Sequence, residues 1–145
     1  MEDFIYAAGL FDGEGTITLS KRSKSSTFRL PSLSLTSTTY ALVLFMKTVF
    51  GGCIRNHTKK SDRHSQAWSW QLTSDKAIKA LSLIRPYLRE PEKCRRADLI
   101  LMAYKDVTIR NGKYSDSQRL AKQEFELLFF HPSTPCKPSK VPISL

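Results

Sequence analysis

The first segment of the chain, from Phe4 to Phe11, is almost entirely apolar or small, and it ends in Asp12-Gly13-Glu14-Gly15. An acidic residue before the segment and glycine after it are typical of helix ends, so the pattern predicts a helix here. Because a helix that is apolar all round must be buried on every side, we expect another helix to pack closely on it. The small residues that would permit this approach are Ala7, Ala8 and Gly9.

Alternation of apolar and polar positions predicts two β-hairpins. The strands are expected over Thr16–Arg22 and Phe28–Thr36, and again over Cys53–Lys59 and Trp68–Thr73. Between the hairpins, Thr39–Phe50 has the pattern of a helix that two glycines terminate. Each hairpin has one apolar face for helices and one polar-to-basic face. The sheet with its open polar face is therefore the predicted binding surface.

The second half of the chain is predicted to be helical. Helices are expected from Asp75 to about Arg85 after a Ser74 cap, from Glu92 to about Lys105, and over Ser117–Phe130. The predicted fold class is therefore α+β, with the order α-β-β-α-β-β-α and additional C-terminal helices. Residues 1–131 are predicted to form a single domain, and residues 132–145 a proline-rich tail.

Composition narrows the class of protein further. Of 145 residues, 23 are Lys or Arg and 13 are Asp or Glu, which gives a formal net charge of +10. A hydrophobic content of 41% is too high for a disordered basic tail. No apolar run approaches the ~20 residues of a membrane span, and the acidic start does not resemble a signal peptide. Three widely spaced cysteines favour a reducing compartment, so the expected location is intracellular and the protein is not expected to be secreted.

The basic residues are concentrated in the hairpins. Nine of them lie between Lys21 and Arg63, where Asp62 is the only acid. A solvated face is the simplest interpretation of such a charge run. Here, however, the cations alternate with strand positions, which suits a surface that follows phosphates. An anionic membrane is a weaker alternative, because no basic amphipathic helix accompanies the charge. Nucleic acid is the predicted partner.

The two acids that follow the apolar helix are candidates for chemistry. A buried helix that ends in Asp12-Gly13-Glu14-Gly15 delivers a carboxylate to the edge of a core. Beside a surface for nucleic acid, an acid is unfavourable unless a divalent cation lies between it and the phosphate. The alternative is that Asp12 and Glu14 only cap and solvate a turn, and the residues alone leave both interpretations open.

The stretch Ala8-Gly9-Leu10-Phe11-Asp12-Gly13-Glu14-Gly15 resembles the motif of the LAGLIDADG homing endonucleases. Ala7 replaces the first leucine of the motif, and Glu14 replaces its commoner final aspartate. The stretches Ile84–Leu88 and Lys93–Ala97 also look like the family's segment before its next helix. The resemblance covers roughly residues 3–105. It implies an αββαββα homing-endonuclease-like core with a curved antiparallel sheet.

The resemblance also implies a site. The last acid of the motif binds divalent metal, which falls on Glu14, and the preceding backbone carbonyl falls on Gly13. Asp12 matches an acid that is usually a structural cap. A basic residue that organises the surroundings of the scissile phosphate falls on Lys93, so Glu14 and Lys93 are the candidate catalytic residues. Mg²⁺ is the expected cofactor, and Mn²⁺ is expected to substitute. Ser37 replaces a longer polar residue, so a catalytic role for it is not implied.

One copy of the motif implies a homodimer with two-fold symmetry, because single-motif members of the family act as pairs on near-palindromic double-stranded DNA. The expected dimer interface consists of Ala8, Gly9, Asp12 and Gly13. The residues of the open sheet face that are expected to contact DNA are Thr18, Ser20, Arg22, Arg29, Ser32, Ser34, Arg55, His57, Lys59, Ser69 and Gln71.

The function that this resemblance implies is a site-specific DNA endonuclease, which makes a metal-dependent double-strand break as a homodimer. The alternative is a non-cleaving binder on the same fold, either a maturase for group I intron RNA or a DNA-binding regulator. The expected compartment is an organelle (mitochondrion or chloroplast) or the cytoplasm of a bacterial or phage host. A zinc site at Cys53 and His57 is not favoured, because two further ligands at suitable spacing are missing.

Overall fold

A computed structural model describes residues 1–57, 62–63 and 65–132 of the chain. The strands are β1 (Gly15–Lys21), β2 (Arg29–Ser37), β3 (Cys53–His57) and β4 (Ala67–Thr73). The helices are α1 (Glu2–Glu14), α2 (Tyr40–Phe50), α3 (Ser74–Ile84), α4 (Pro91–Leu99) and α5 (Asp116–Phe130). In this part of the chain, no helix is both long enough and apolar enough to span a lipid bilayer.

The four strands form one antiparallel sheet in the order β1-β2-β4-β3. The two hairpins therefore meet through β2 and β4, whose register pairs Ser34 with Gln71 and Leu35 with Trp70. Helices follow each hairpin in sequence, so the order through α3 is αββαββα. The predicted α+β fold class and element order are confirmed.

The core lies between one face of the sheet and the helices. Leu19, Leu33 and Trp70 are fully buried on that face, as alternation within each strand requires. The indole N–H of Trp70 donates to the carbonyl oxygen of Gly51 at 2.7 Å, so the buried ring keeps a partner for its one polar atom. Gly52 adopts a φ of +94°, and a Cβ there would lie 2.5 Å from the carbonyl oxygen of Gln71. Glycine is therefore required where α2 turns into β3.

Several strand and helix ends shift by one residue, and two helices differ further from the predicted ones. Ser74, the predicted cap of α3, is instead its first residue, with a φ of +60°, and Thr73 precedes the helix. The predicted single helix from Glu92 to Lys105 begins at Pro91, ends at Leu99 and continues as a π-helical turn through Tyr104. Residues 133–145 of the predicted tail lie outside the described residues.

Two arginines of α4 connect three elements. Arg95 donates to the carbonyl oxygens of Leu128 and Phe129 at the end of α5, and Arg96 donates to that of Ile17 in β1 at 2.9 Å. Both guanidinium groups also bind the carboxylate of Glu92. These hydrogen bonds lower the pKa of Glu92 to about 2. Glu92 thus fixes the two side chains that join α4 to the sheet and to α5.

Candidate active site and nucleic-acid interface

Helix α1 has one buried and one exposed face. Ala7, Ala8 and Phe11 are completely buried within the chain, whereas Ile5 and Tyr6 are 48% and 54% exposed. The prediction that α1 is buried on every side is therefore wrong for the single chain. The assignment of Ala8 to the dimer interface is corrected as well, because a residue with no exposed surface cannot contact a second chain through the open face.

The exposed face of α1 carries two glycines one helical turn apart, Gly9 and Gly13. Both are exposed, and a Cβ added to either would meet no atom within 4 Å. Glycine within a helix costs roughly 1 kcal/mol relative to alanine. Among the described residues, nothing requires that cost, since neither glycine has a positive φ or a crowding neighbour there.

Asp12 forms a cap for the segment that follows α3. Its carboxylate accepts the backbone N–H groups of Arg89 and Glu90, with donor–acceptor distances of 3.1–3.2 Å. Asp12 is accordingly half-buried, whereas Glu14, two residues later, is exposed. The two acids of the motif therefore lie in different environments, and Glu14 is the more exposed of the two.

Lys93 lies beside the end of α1. Its ammonium group donates to the backbone carbonyl oxygen of Asp12 at 2.5 Å, across 81 residues of sequence. The Glu90 side chain accepts the backbone N–H of Lys93 at 2.7 Å and caps α4, which places Lys93 in the first turn of that helix. The family resemblance implies Lys93 for this region. The geometry brings it to the carbonyl that lies two residues before Glu14.

The oxygen donors at this end of α1 suit a hard divalent cation. Glu14 offers an exposed carboxylate, and Gly13 contributes a backbone carbonyl at the last turn of the helix. Within the described residues, no group of three or more His, Cys, Asp or Glu side chains could hold a metal ion. Since Mg²⁺ takes about six oxygen ligands, the residues fit this ion when a second chain, phosphates and water supply the rest.

The open face of the sheet carries most of the residues that were predicted to contact DNA. The register aligns Thr18 with Ser32 and Thr73, Thr16 with Ser34 and Gln71, and Thr36 with Ser69 and Arg55. Arg22 and Ser20 line one cavity of about 320 Å³ on this face, together with Arg55 and Gln71. Arg22, Arg55 and His57 are exposed, and Thr18, Ser20, Ser34, Ser69 and Gln71 are partly exposed. Their role in binding stays a prediction.

Three of the predicted DNA contacts, Arg29, Ser32 and Lys59, are not among these exposed residues of the open face. Arg29 pairs with Lys21 on the opposite face of β2, where its guanidinium lies 5.2 Å from the centre of the Phe130 ring and donates to the Leu19 carbonyl oxygen. Its assignment to the open face is wrong, because odd positions of β2 point toward the helices. Ser32 faces the open side but is only 2% exposed, and its hydroxyl accepts from the Gln71 amide. Lys59 lies outside the described residues.

A three-residue hydrogen-bond chain crosses the open face. The Ser69 hydroxyl lies 2.5 Å from His57 Nε2 on β3 and 2.5 Å from Thr36 Oγ1 on β2. Thr36 was missing from the predicted contacts. Its signal was the even spacing that it shares with Ser32 and Ser34, but the register that places it beside Ser69 requires the folded sheet. These hydrogen bonds orient the exposed imidazole of His57.

No protein-family model and no curated protein sequence matches this chain. Solved structures do match. The homing endonuclease I-CvuI, in complex with its target in the presence of Ca, is 18% identical, with 86% of this chain and 96% of that chain covered and a TM-score of 0.56. The homing endonuclease I-TnaI is 12% identical, with coverage of 90% and 89% and a TM-score of 0.60. The LAGLIDADG homing endonuclease I-GzeII, in complex with a DNA target, is 16% identical over 84% of this chain and 42% of its own, with a TM-score of 0.61.

Proposed function

We propose that this chain, which has the LAGLIDADG homing endonuclease fold, is a site-specific DNA endonuclease that acts as a homodimer with Mg²⁺. The observation that carries the proposal is the end of α1, where the exposed carboxylate of Glu14 follows a carbonyl held by Lys93. A protein that only binds nucleic acid has no use for an exposed acid beside phosphate. A reducing compartment, either an organelle or a bacterial or phage host cytoplasm, is part of the proposal.

The proposed dimer uses the exposed face of α1. Gly9 and Gly13 leave open space where side chains would otherwise stand, so the α1 backbone of a second chain can approach closely. Ile5 and Tyr6, both about half exposed, add apolar surface beside the glycines. Two-fold symmetry about this face brings the two Glu14 carboxylates toward the same scissile region.

The proposed reaction is hydrolysis of phosphodiester bonds. Glu14 of each chain and the carbonyl of Gly13 would hold the divalent cation, which supplies Lewis acidity to the attacking water and the leaving oxygen. Lys93 adds a positive charge at the same end of α1, where it would stabilise the negative charge that develops on the phosphate. Asp12 holds the loop before α4 through two backbone N–H groups and thereby keeps Lys93 in position.

The proposed substrate is double-stranded DNA bound on the open face of the sheet. I-CvuI and I-GzeII were solved with DNA targets, and I-CvuI structures were obtained with Ca or Mg. In this chain the face carries Arg22, Arg55 and Gln71, whose side chains are suited to phosphates and base edges. A near-palindromic site would match the two-fold symmetry of the dimer.

The experiment that tests the function is selection of cleaved sites from a randomised duplex library in Mg²⁺, with Ca²⁺ used to measure binding without cleavage. We expect wild type to cleave one defined site in the library. Glu14→Gln should bind that site, but its cleavage rate should be at least a hundredfold lower. The matched control is Glu2→Gln, the same change at the opposite end of α1. Binding without cleavage by wild type would favour a non-cleaving regulator, and preferential binding of group I intron RNA would favour a maturase. Cleavage by Glu14→Gln equal to that of wild type would mean that Glu14 does not hold the catalytic metal.

A further inference from the structure

A second basic surface lies at the end of the sheet, next to the residues that were predicted to contact DNA. We call it the outer basic surface; its members are Arg22 of the β1–β2 connection and Lys105, Arg110, Lys113 and Arg119 of the segment before and at the start of α5. The last four were not among the sequence-predicted contacts. All five side chains are exposed.

The outer basic surface is continuous with the open face of the sheet. Arg22 and Ser74 line the cavity on the open face that also includes Gln71 and Arg55. The same two residues line an adjoining cavity of about 520 Å³, which Lys105 and Arg110 also line. A polyanion that follows the open face past Arg22 would therefore arrive directly at these two cations.

The segment that carries these cations is held in place by specific contacts. The Phe28 and Tyr114 rings lie 4.8 Å apart and join the first hairpin to this segment. The Tyr114 hydroxyl accepts the backbone N–H of Ile109 at 3.2 Å. The Thr108 hydroxyl, in turn, accepts from the buried ammonium of Lys122 at 2.5 Å. Arg110 thus extends from a loop with three anchors.

The charge balance of this surface favours an anionic partner. From Lys105 to Arg119 there are four basic residues and two acids, Asp106 and Asp116, and a third acid, Asp75, lines the shared cavity. The ion pairs found in residues 1–57, 62–63 and 65–132 involve only Arg85, Arg95 and Arg96 among the cations. None of the five members of the outer basic surface is neutralised in that way, so their charges are directed to solvent.

We propose that the outer basic surface binds the phosphate backbone of duplex DNA that flanks the stretch under the sheet. The inference rests on the proposed function and extends it, because each chain then covers more DNA than the four strands alone can reach. Isolated cations on a surface contact phosphates without reading bases. The flanking contacts would accordingly raise affinity and set the length of the required duplex, without adding sequence preference.

The test compares two lengths of the duplex recovered from the library selection. The long duplex extends beyond the selected site at both ends. The trimmed duplex is the same DNA shortened by ~10 base pairs, one helical turn, of flanking sequence at each end. On the long duplex, we expect Lys105→Ala/Arg110→Ala to weaken the dependence of log K on log salt. The magnitude of the negative slope should fall by about 0.9 for each lost phosphate contact. On the trimmed duplex, the difference from wild type should disappear. Arg110→Lys, which keeps the charge, should restore most of the slope that Arg110→Ala removes.

The matched control removes the same charge elsewhere. Lys76 and Lys79 are exposed on α3 and line a groove with Val49 and Phe50 of α2. If Lys76→Ala/Lys79→Ala lowers the slope equally, or if the loss is the same on both duplexes, net charge is responsible and the inference is wrong. If wild type binds no duplex of either length, the proposed function fails with it. If wild type cleaves but gains nothing from the longer duplex, only the flanking contacts are refuted.

Discussion

The ammonium of Lys93 lies 2.5 Å from the carbonyl oxygen of Asp12, so a cation from the first turn of α4 closes the last turn of α1. This contact stabilises helix α1 in the sense expected for a positive charge at a helix C-terminus. It also places the same cation near Glu14. In the proposed enzyme, one side chain would therefore serve both the end of α1 and the chemistry, and substitutions can separate these two roles.

Lys93→Met tests the chemical role. Methionine keeps most of the aliphatic length but removes the charge, so we expect DNA binding in Ca²⁺ to change little and cleavage in Mg²⁺ to fall by about a hundredfold. Single-turnover cleavage on the selected duplex is the measurement, and Lys79→Met on α3 is the control. An equal loss in binding and cleavage, together with a lower melting temperature, would mean that Lys93 only closes α1.

Gly9→Leu tests the proposed dimer. Its side chain would enter open space in a single chain, and the loss of a helix glycine should stabilise that chain by up to about 1 kcal/mol. In a pair, the same side chain would occupy the volume needed by the second backbone. We expect sedimentation to change from twice 16.5 kDa to 16.5 kDa while the helical circular dichroism is kept.

The neighbouring residue provides the contrast. Ala8 is fully buried in the chain, so Ala8→Leu should overpack the core and cost roughly 1–3 kcal/mol of unfolding free energy. An Ala8→Leu protein that unfolds at a lower temperature but still forms dimers below that temperature would agree with the burial of Ala8 inside its own chain. A Gly9→Leu protein that sediments as a dimer would instead put the interface away from α1.

Ala8 is buried in its own chain and Gly9 beside it is exposed, a difference that could not be predicted from the sequence. The tetrapeptide Asp12-Gly13-Glu14-Gly15, the hairpins and the αββαββα order follow from local pattern. Which side of an apolar helix meets its own core depends on a rotation of about 100° per residue about the helix axis, which only packing decides. The prediction that Arg29 contacts DNA is wrong for a related reason. Arg29 is basic and lies in a strand, but its odd position directs it to Phe130. Contacts such as that of Lys93 with Asp12 span 81 residues and require the folded chain.

Ser69→Ala tests the hydrogen-bond chain on the open face. Removal of the hydroxyl breaks the link from His57 through Ser69 to Thr36. If His57 contacts a base as proposed, we expect weaker discrimination at that base pair and no change at other positions. A good base contact contributes roughly 1–3 kcal/mol of discrimination, which is measurable from relative affinities for the four bases at each position. Ser69→Thr keeps the hydroxyl and should restore the preference.

A double-mutant cycle decides whether Ser69 acts through His57. If it does, Ser69→Ala should have little further effect in a His57→Ala background, because residues of one network are not additive. Ser82→Ala, the loss of an exposed hydroxyl on α3, is the control. Fully additive effects of Ser69→Ala and His57→Ala would show that the two side chains contact DNA independently.

Lys122→Met tests a buried charge. The Lys122 side chain is 1% exposed, with its ammonium 2.5 Å from the Thr108 hydroxyl and 4.0 Å from the centre of the Tyr104 ring. Burial lowers the pKa of Lys122 from 10.5 to about 8. Between these two values the unfolded chain binds more protons than the folded chain, so this group makes stability rise with pH from about 8 toward 10.5.

We expect the melting temperature of wild type to increase between pH 8 and 9.5. The melting temperature of Lys122→Met should lack this increase. At pH 7 the variant should melt at the same temperature or higher, because it no longer buries a charge, and Thr108 still donates to the Tyr104 carbonyl oxygen. The window stops below pH 10 because burial raises the pKa of Tyr104 above 10.0, which makes stability fall at higher pH. Lys79→Met should keep the wild-type profile. A Lys122→Met protein that melts several degrees lower at pH 7 with an unchanged pH profile would mean that the ammonium contributes more through its contacts than its burial costs.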